Sequence, residues 1–304
     1  MNGWGQRLIG ALLVAVGAWC LWFQLWLPAQ LPKEDDFRAL SQVIDAEAQP
    51  GDVVLLAPWW TEHARLFVPE RVPVVGYIGS DADDLETHSR IWVIAQPKLP
   101  RAGMAAFHAA FDAKRPPVGT ERSFGPLRLS LYQNGRARPV AFSATDALAQ
   151  ARVYLQSADG SQQACQWDGA QHRCPNGGAA TVEWHDIKFQ PRRCVRFYPP
   201  GGSTKLVAEF TGVPEVAAWR LQAGMIWDRG WFHDRPLSVT YLDLESGGTR
   251  LGGVSIQPGL EGLQRTLTTG SPAGATVRVS VQAERAELRE TCFELFGFAA
   301  GATP

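Results

Sequence analysis

The chain has 304 residues, enough for a membrane segment followed by two domains of ordinary size. Its 29 Lys and Arg residues nearly balance its 30 Asp and Glu residues, so the net charge is −1 at pH 7 and nothing in the charge favours nucleic acid or an acidic membrane surface as a partner. The hydrophobic fraction of 45% is that of a globular protein, and 12 Trp residues are many for this length.

The first predicted element is an apolar run over residues 8–27, which contains one polar residue, Gln24, and no charge. About 20 apolar residues in a helix match the roughly 30 Å hydrocarbon core of a bilayer, so the run predicts a transmembrane helix within an anchor of residues 1–32. Arg7 precedes the run, and this mildly favours an N-terminus inside the cell. A cleaved signal peptide is the alternative, but its apolar region is normally shorter and ends in small residues.

Strands alternating with helices follow over residues 33–135 and predict a small α/β layer domain. Apolar residues at helical spacing predict a helix from Asp36 to about residue 49, a short one over 61–67, and another around Met104 and Phe111. Three apolar runs predict buried strands, and an alternating run predicts an edge strand with one wet face. The strands lie at residues 53–57, 74–78, 91–95 and, at the edge, 127–132.

Four segments of this domain carry a resemblance to a known family: residues 36–40 (DFRAL), 50–54 (PGDVV), 90–94 (RIWVI) and 125–132 (GPLRLSLY). They resemble the extracytoplasmic C-terminal domain of protein-mannosyltransferase and aminoarabinose-transferase-like membrane glycosyltransferases. That family is multispanning, whereas this chain has one apolar run, so we expect a single-pass protein with most of the chain in the periplasm. The resemblance implies the bacterial inner membrane and a membrane glycosyltransferase as a partner. That family's catalytic acidic residues lie on a loop between membrane helices. The four segments contain no counterpart of that loop, so no catalytic residue is carried over.

After a predicted linker at residues 136–150, the pattern changes to many short alternating strands joined by Gly, Pro and Asp. Such spacing over residues 151–304 predicts an antiparallel β-sandwich, similar to a jelly roll. The predicted strands are residues 152–155, 180–184, 194–198, 205–210, 237–242, 264–267, 276–281 and 290–295.

The cysteines of this second domain are even in number, which is typical of disulfides in an exported segment. Four cysteines allow three pairings, and we favour Cys165–Cys174, which closes a short loop, and Cys194–Cys292, which ties an early strand to the last one. Zinc ligands normally come in close pairs such as C-x-x-C, which the sequence lacks, so no metal or other cofactor is predicted.

The most suggestive functional stretch is residues 227–234 (WDRGWFHD). An indole face can stack on a sugar ring while neighbouring polar groups bind its hydroxyls, so we predict a ligand surface of Trp231 with Arg229, His233 and Asp234. Residues 184–186 form a smaller set of the same kind, led by Trp184. The alternative is that these aromatic residues fill the sandwich core and the polar ones make turns.

One acidic stretch, residues 81–86, lacks the glycine and the spacing of a calcium-binding loop. We predict that it is a solvated loop that caps a short helix.

The sequence therefore favours a membrane-anchored extracytoplasmic accessory protein, without catalytic residues of its own, that binds glycan or a glycosyltransferase partner. Two alternatives stay open. One is an enzyme acting on envelope glycans through two carboxylates across a cleft, and the other is a structural envelope protein with no small ligand.

Overall fold

The computed structural model describes residues 3–76, 82–96, 111, 115–187, 190–226, 239–257, 263–284 and 290–300. Contacts divide the chain into two compact units, each built from two stretches of sequence. The first unit is Met1–Tyr77 with His88–Gly135, and the second is Ile78–Thr87 with Arg136–Pro304.

The N-terminal helix α1 spans Gly3–Gln30. Within it, Ile9–Pro28 is long and apolar enough to cross a membrane, with a mean hydropathy of 1.8, and is therefore a candidate anchor or signal sequence. Trp19, Trp22 and Trp26 follow one another along one side of the helix, with ring centroids 5.0 and 5.6 Å apart.

The rest of the first unit is a sheet with a helix on it, as the α/β pattern predicts. The elements are α2 (Glu34–Glu47), β1 (Asp52–Ala57), a 3-10 helix (Trp59–Leu66), β2 (Val74–Val75), β3 (Arg90–Ala95), β4 (Arg122–Phe124) and β5 (Leu127–Gln133). The strand order is β2-β1-β3-β5-β4, in which β1 is parallel to β2 and β3, and β5 is antiparallel to β3 and β4. The helix α2 buries Phe37, Leu40 and Ile44, the residues whose spacing predicts it. One detail is wrong: β5 is not an edge strand, because β4 pairs with its outer side.

The second unit consists mainly of antiparallel strands. They are β6 (Val140–Ser143), β7 (Arg152–Gln156), β8 (Gln162–Ala164), β9 (Gln166–Trp167), β10 (Gln171–Arg173), β11 (Ala179–Ile187), β12 (Gln190–Tyr198), β13 (Lys205–Val213), β14 (Val216–Met225), β15 (Thr240–Ser246), β16 (Thr249–Ile256), β17 (Gln264–Ser271), β18 (Ala275–Ala283) and β19 (Thr291–Phe298). Short helical segments lie at Ala82–Leu85, at α3 (Ala144–Ala147) with Leu148–Gln150, and at Pro175–Gly177.

These strands form a sandwich of two sheets. One sheet, which we call the β11 sheet, has the order β17-β14-β19-β12-β11-β10-β9, with β6 also paired to β19, and the other has the order β16-β15-β18-β13-β7-β8. Both contribute to one core, for example Phe197 and Trp219 from the β11 sheet and Phe210 and Val279 from its partner. The predicted β-sandwich is therefore confirmed.

Residues 136–150 differ from the predicted linker. They belong to the second unit, where β6 pairs with β19 and the turn that follows buries Ala144 and Leu148 in the sandwich core. A linker has no such core contacts, so the sandwich begins at about Arg136 rather than at Ala151.

Both predicted disulfides are confirmed. Cys165–Cys174 joins the ends of the β9–β10 hairpin, and Cys194–Cys292 joins the neighbouring strands β12 and β19 across a sequence separation of 98 residues. In the chain-entropy model a loop of that length stabilises the folded state by about 4–5 kcal/mol.

The sheet of the first unit is held together at one end by a buried carboxylate. Asp52 and Arg90 lie opposite each other at the starts of β1 and β3, and the guanidinium donates two hydrogen bonds of 2.8 and 2.7 Å to the carboxylate. The Trp92 indole and the Gln49 backbone N–H donate two more. Burial on its own would raise the pKa of Asp52, but these hydrogen bonds outweigh it and hold the pKa below its ordinary value.

This lowered pKa makes the first unit sensitive to acid. A carboxylate whose pKa is lower in the folded than in the unfolded state stabilises the fold above the unfolded pKa, and that stability is lost as the pH falls through the folded pKa. We predict that Asp52→Asn costs about 3 kcal/mol at neutral pH, because Arg90 loses its buried partner, and that the variant's stability depends less on pH in the acid range.

Hydrogen exchange read by mass spectrometry can localise this effect to β1 and β3. Peptides from β13 and β18 in the second unit serve as the internal control and should keep their protection. Equal protection of β1 and β3 in the wild type and in Asp52→Asn would show that the ion pair does not hold this sheet.

Candidate functional site

Of the predicted ligand residues, only Trp184 lies within the described part of the structure. Trp231, Arg229, His233 and Asp234 lie outside the described residues. Trp184 lies near the end of β11 and is 64% exposed, a high value for an indole.

Trp184 is exposed because its strand runs past the covered part of the sheet. Side chains two residues apart lie on the same face of a strand. Ala180, Val182 and Trp184 therefore share the face that looks toward the partner sheet. Ala180 is fully buried in the core, Val182 is half-buried, and Trp184 is exposed. The sandwich core thus ends between Ala180 and Trp184. The Trp184 indole lies beyond the core, on a part of β11 that is still hydrogen-bonded to β12.

An exposed ion pair lies beside the indole. Arg193 of β12 is directly opposite Trp184, so the two side chains share a face. The Arg193 guanidinium donates a 2.8 Å hydrogen bond to Asp146 of α3, and both side chains are largely exposed. We call Trp184, Arg193 and Asp146 the Trp184 surface. Nothing in the local sequence marks Arg193 or Asp146 as a site residue: the strand register identifies Arg193, and its hydrogen bond identifies Asp146.

The sequence neighbours of Trp184 divide between the two faces of the strand. Asp186 shares the face of Trp184, whereas His185 lies on the opposite one, where its Nε2 is 3.1 Å from the Glu183 carboxylate. Residues 184–186 are therefore not one cluster, although two of them can serve the same surface.

A small pocket of about 100 Å³ opens on that opposite face, away from the sandwich core. The Arg196 guanidinium lies in its wall and is paired with Glu290 at 2.9 Å and with Glu183 at 3.2 Å. The lining residues are Gln171, Ala179, Thr181, Arg196, Tyr198 and Glu290. The cation in this pocket is thus already neutralised by two carboxylates of the same unit.

A buried charge cluster occupies the same outward face further along. Arg192 makes a two-pronged pair with Asp84 at 2.8 and 2.9 Å, and both side chains are at least nine-tenths buried. Arg220 pairs with Glu86 at 2.7 Å, and Glu86 also pairs with Arg138. The acidic stretch 81–86 is therefore not the solvated loop that the sequence predicts, because its described carboxylates bind arginines of the sandwich.

Burial raises the pKa of Glu294, which lies beside this cluster and accepts a hydrogen bond from Gln222. Its carboxylate is also 3.5 Å from the Arg192 guanidinium. These contacts fix Glu294 inside the cluster, so the arrangement is that of a structural network. Among the described residues, no three His, Cys, Asp or Glu side chains are grouped so as to hold a metal ion.

No family model and no curated protein matches this chain. Several solved structures are weakly similar to it. The CBM51-2 and INT domains of Clostridium perfringens ZmpB match with a TM-score of 0.26 and 9% identity, over 49% of this chain and 26% of that one. The tandem CBM51 modules of a family 98 glycoside hydrolase from Streptococcus pneumoniae match with a TM-score of 0.33 and 6% identity, over 59% and 57%.

A carbohydrate-binding module CBM36, solved with calcium and xylotriose, matches with a TM-score of 0.25 and 9% identity, over 39% of this chain and 93% of that one. The match to the ZmpB structure named above, by contrast, covers only about a quarter of that structure's length. Similarity at this level says nothing about the ligand of this protein.

The chemistry of the Trp184 surface follows from its own groups. An indole face offers apolar, polarisable area to the C–H side of a sugar ring, and the ring is rigid, so little conformational entropy is lost on contact. Arg193 supplies N–H donors and Asp146 supplies acceptor oxygens next to it. Because the two charges compensate each other, the surface is suited to an uncharged ligand that has both hydroxyl and C–H groups.

Proposed function

We propose that this protein is a membrane-anchored, non-catalytic glycan-binding protein of a bacterial cell envelope. The observation that carries the proposal is the exposed indole of Trp184 on paired strands, beside the Arg193–Asp146 ion pair. Trp residues are enriched at interfaces, because an indole combines a large apolar body with one polar N–H.

The proposed location rests on two independent features. The helix segment Ile9–Pro28 is a candidate anchor, and the disulfides Cys165–Cys174 and Cys194–Cys292 are of a kind that persists in oxidising compartments. We therefore place both compact units on the periplasmic side of the inner membrane. A membrane glycosyltransferase as partner rests on the sequence resemblance of residues 36–135.

The aromatic stretch 227–234 stays a proposed extension of the ligand surface. Its support comes from the sequence alone, in which Trp231 is flanked by the polar residues Arg229, His233 and Asp234.

Replacement of the exposed indole tests the function. We predict that Trp184→Ala changes the melting temperature little, since surface substitutions usually cost within about 0.5 kcal/mol, and lowers glycan retention at least about tenfold. The measurement is binding of the full-length protein in detergent to an array of neutral glycans. Trp184→Phe, which keeps an aromatic face, should retain part of the binding.

Tyr241→Ala is the matched control, because Tyr241 is also an exposed aromatic residue on a strand but lies on the other sheet. It should bind like the wild type. Unchanged retention by Trp184→Ala, or no glycan bound by the wild type, would reject glycan binding at this surface and favour the structural alternative. Release of cleaved products from the array would instead favour the enzyme alternative.

Topology has its own test. We predict that a reporter active only in the periplasm works when it is fused after Pro304, because a single helix at residues 8–27 with its N-terminus inside exports everything that follows. A reporter active only in the cytoplasm, fused at the same position, is the control and should be silent. The opposite result would place the disulfide-bonded sandwich in a reducing compartment and contradict the proposed location.

A further inference from the structure

A second exposed indole lies on the same face of the β11 sheet as Trp184. Trp167 of β9 is 41% exposed and is paired across the strands with His172 of β10, which is paired in turn with Ala180 of β11. Directly paired residues point to the same face of a sheet. Because Ala180 and Trp184 also share a face, both indoles project from the side that looks toward the partner sheet.

The distance between the two sites follows from the register. Trp184 is four residues along β11 from Ala180, and β9 lies two strands away from β11. With a rise of about 3.4 Å per residue and about 4.8 Å between strands, the two backbone positions are roughly 17 Å apart. This span exceeds a single sugar ring, so a monosaccharide cannot contact both indoles.

The region beside the line that joins the two indoles is bounded on one side by the segment 144–150. Val182, half-buried, lies between Ala180 and Trp184 on this face. The segment 144–150 crosses the same face, and its contacts with Arg193 and His172 lie on the same side of the line joining the indoles as Val182. Its Asp146 contacts Arg193, and its Leu148 carbonyl accepts a 2.9 Å hydrogen bond from the Nε2–H of His172.

The Trp167 indole is held in place by its own hairpin. The Trp167 ring packs against His172 with centroids 4.8 Å apart, and the Cys165–Cys174 disulfide closes the hairpin that carries it. The ion pair of the same hairpin, in which Arg173 donates a 2.6 Å hydrogen bond to Asp168, belongs to the opposite face, because Arg173 is paired with Ala179. The second site thus offers a positioned indole, and the Arg193–Asp146 ion pair lies at the Trp184 end only.

We infer that Trp184 and Trp167 are the two ends of one extended surface that takes a neutral oligosaccharide chain rather than a single sugar. The chain runs beside the segment 144–150 and places one ring on each indole. Contact at the second indole is then effectively intramolecular, so it adds affinity only for ligands long enough to reach it. This inference rests on the proposed function, because it takes Trp184 as the first contact.

Ligand length tests it. The full-length protein in detergent is titrated by calorimetry with cello-, chito-, xylo- and malto-oligosaccharides of increasing length, from one to six units, to find the series that binds. In that series the wild type should gain at least about tenfold in affinity between the short and the long members. Trp167→Ala should abolish this gain and leave the affinity for the short members unchanged, while Trp167→Phe should restore part of it.

The outcomes separate the two proposals. Short sugars bound through Trp184 with no gain for longer ones, or a full gain that persists in Trp167→Ala, overturns the extended surface and leaves the proposed function standing. Loss of short-sugar binding in Trp167→Ala shows a structural role for that indole and also overturns the inference. If no sugar of any length binds, the proposed function and the extended surface both fail.

Discussion

The second unit depends on carboxylates that reach its arginines from a distant part of the sequence. Asp84 and Glu86 precede β3 of the first unit in the chain, yet they are grouped with the sandwich and pair with Arg192, Arg220 and Arg138. An arginine buried on the outward face of a sheet is costly unless a carboxylate compensates it, and removal of one partner typically costs about 3–5 kcal/mol. A chain that starts at Arg136 lacks both carboxylates, so the sandwich is not complete without Asp84 and Glu86.

This arrangement divides the roles of the two faces of the β11 sheet. The outward face of its central strands is occupied by the charge cluster and by the buried Cys194–Cys292 disulfide. The inward face is covered by the partner sheet in the middle, but it extends beyond that sheet at Trp184. A ligand can therefore reach the β11 sheet where this sheet extends beyond the partner sheet. The strands at these positions are held in place by the disulfides and the ion pairs.

Local patterns predicted much of this fold. The apolar runs predicted β1 and β3, the helical spacing of Phe37, Leu40 and Ile44 predicted α2, and the disulfide pairing favoured among the three possible ones is the one observed. The segments that carry the family resemblance include Asp52, Arg90 and Trp92, whose contacts with one another are structural. No comparison supports that family specifically, so the resemblance stays a hypothesis.

The sequence could not reveal features that depend on distant partners. Strand β14 was missed although Trp219, Leu221 and Ala223 alternate with Arg220 and Gln222 as in a half-buried strand. The burial of Arg220 could not be predicted from the sequence, because its partner Glu86 is 134 residues away. The stretch 136–150 resembles a linker because the pairing of β6 is with the last strand, β19. For Trp184 the residue was predicted, but its neighbours Arg193 and Asp146 become visible only through the register and the turn that packs on it.

The central claim is that the indole of Trp184 contacts the ligand, and oxidation of tryptophan side chains tests it most directly. The protein is oxidised with and without a saturating oligosaccharide, and each indole is followed by mass spectrometry of its peptide. Trp92 and Trp219 are buried and should stay unreactive in both samples, which makes them internal controls. The account predicts that the sugar protects Trp184 from oxidation. Oxidation of Trp184 at an unchanged rate while the sugar is bound would contradict it.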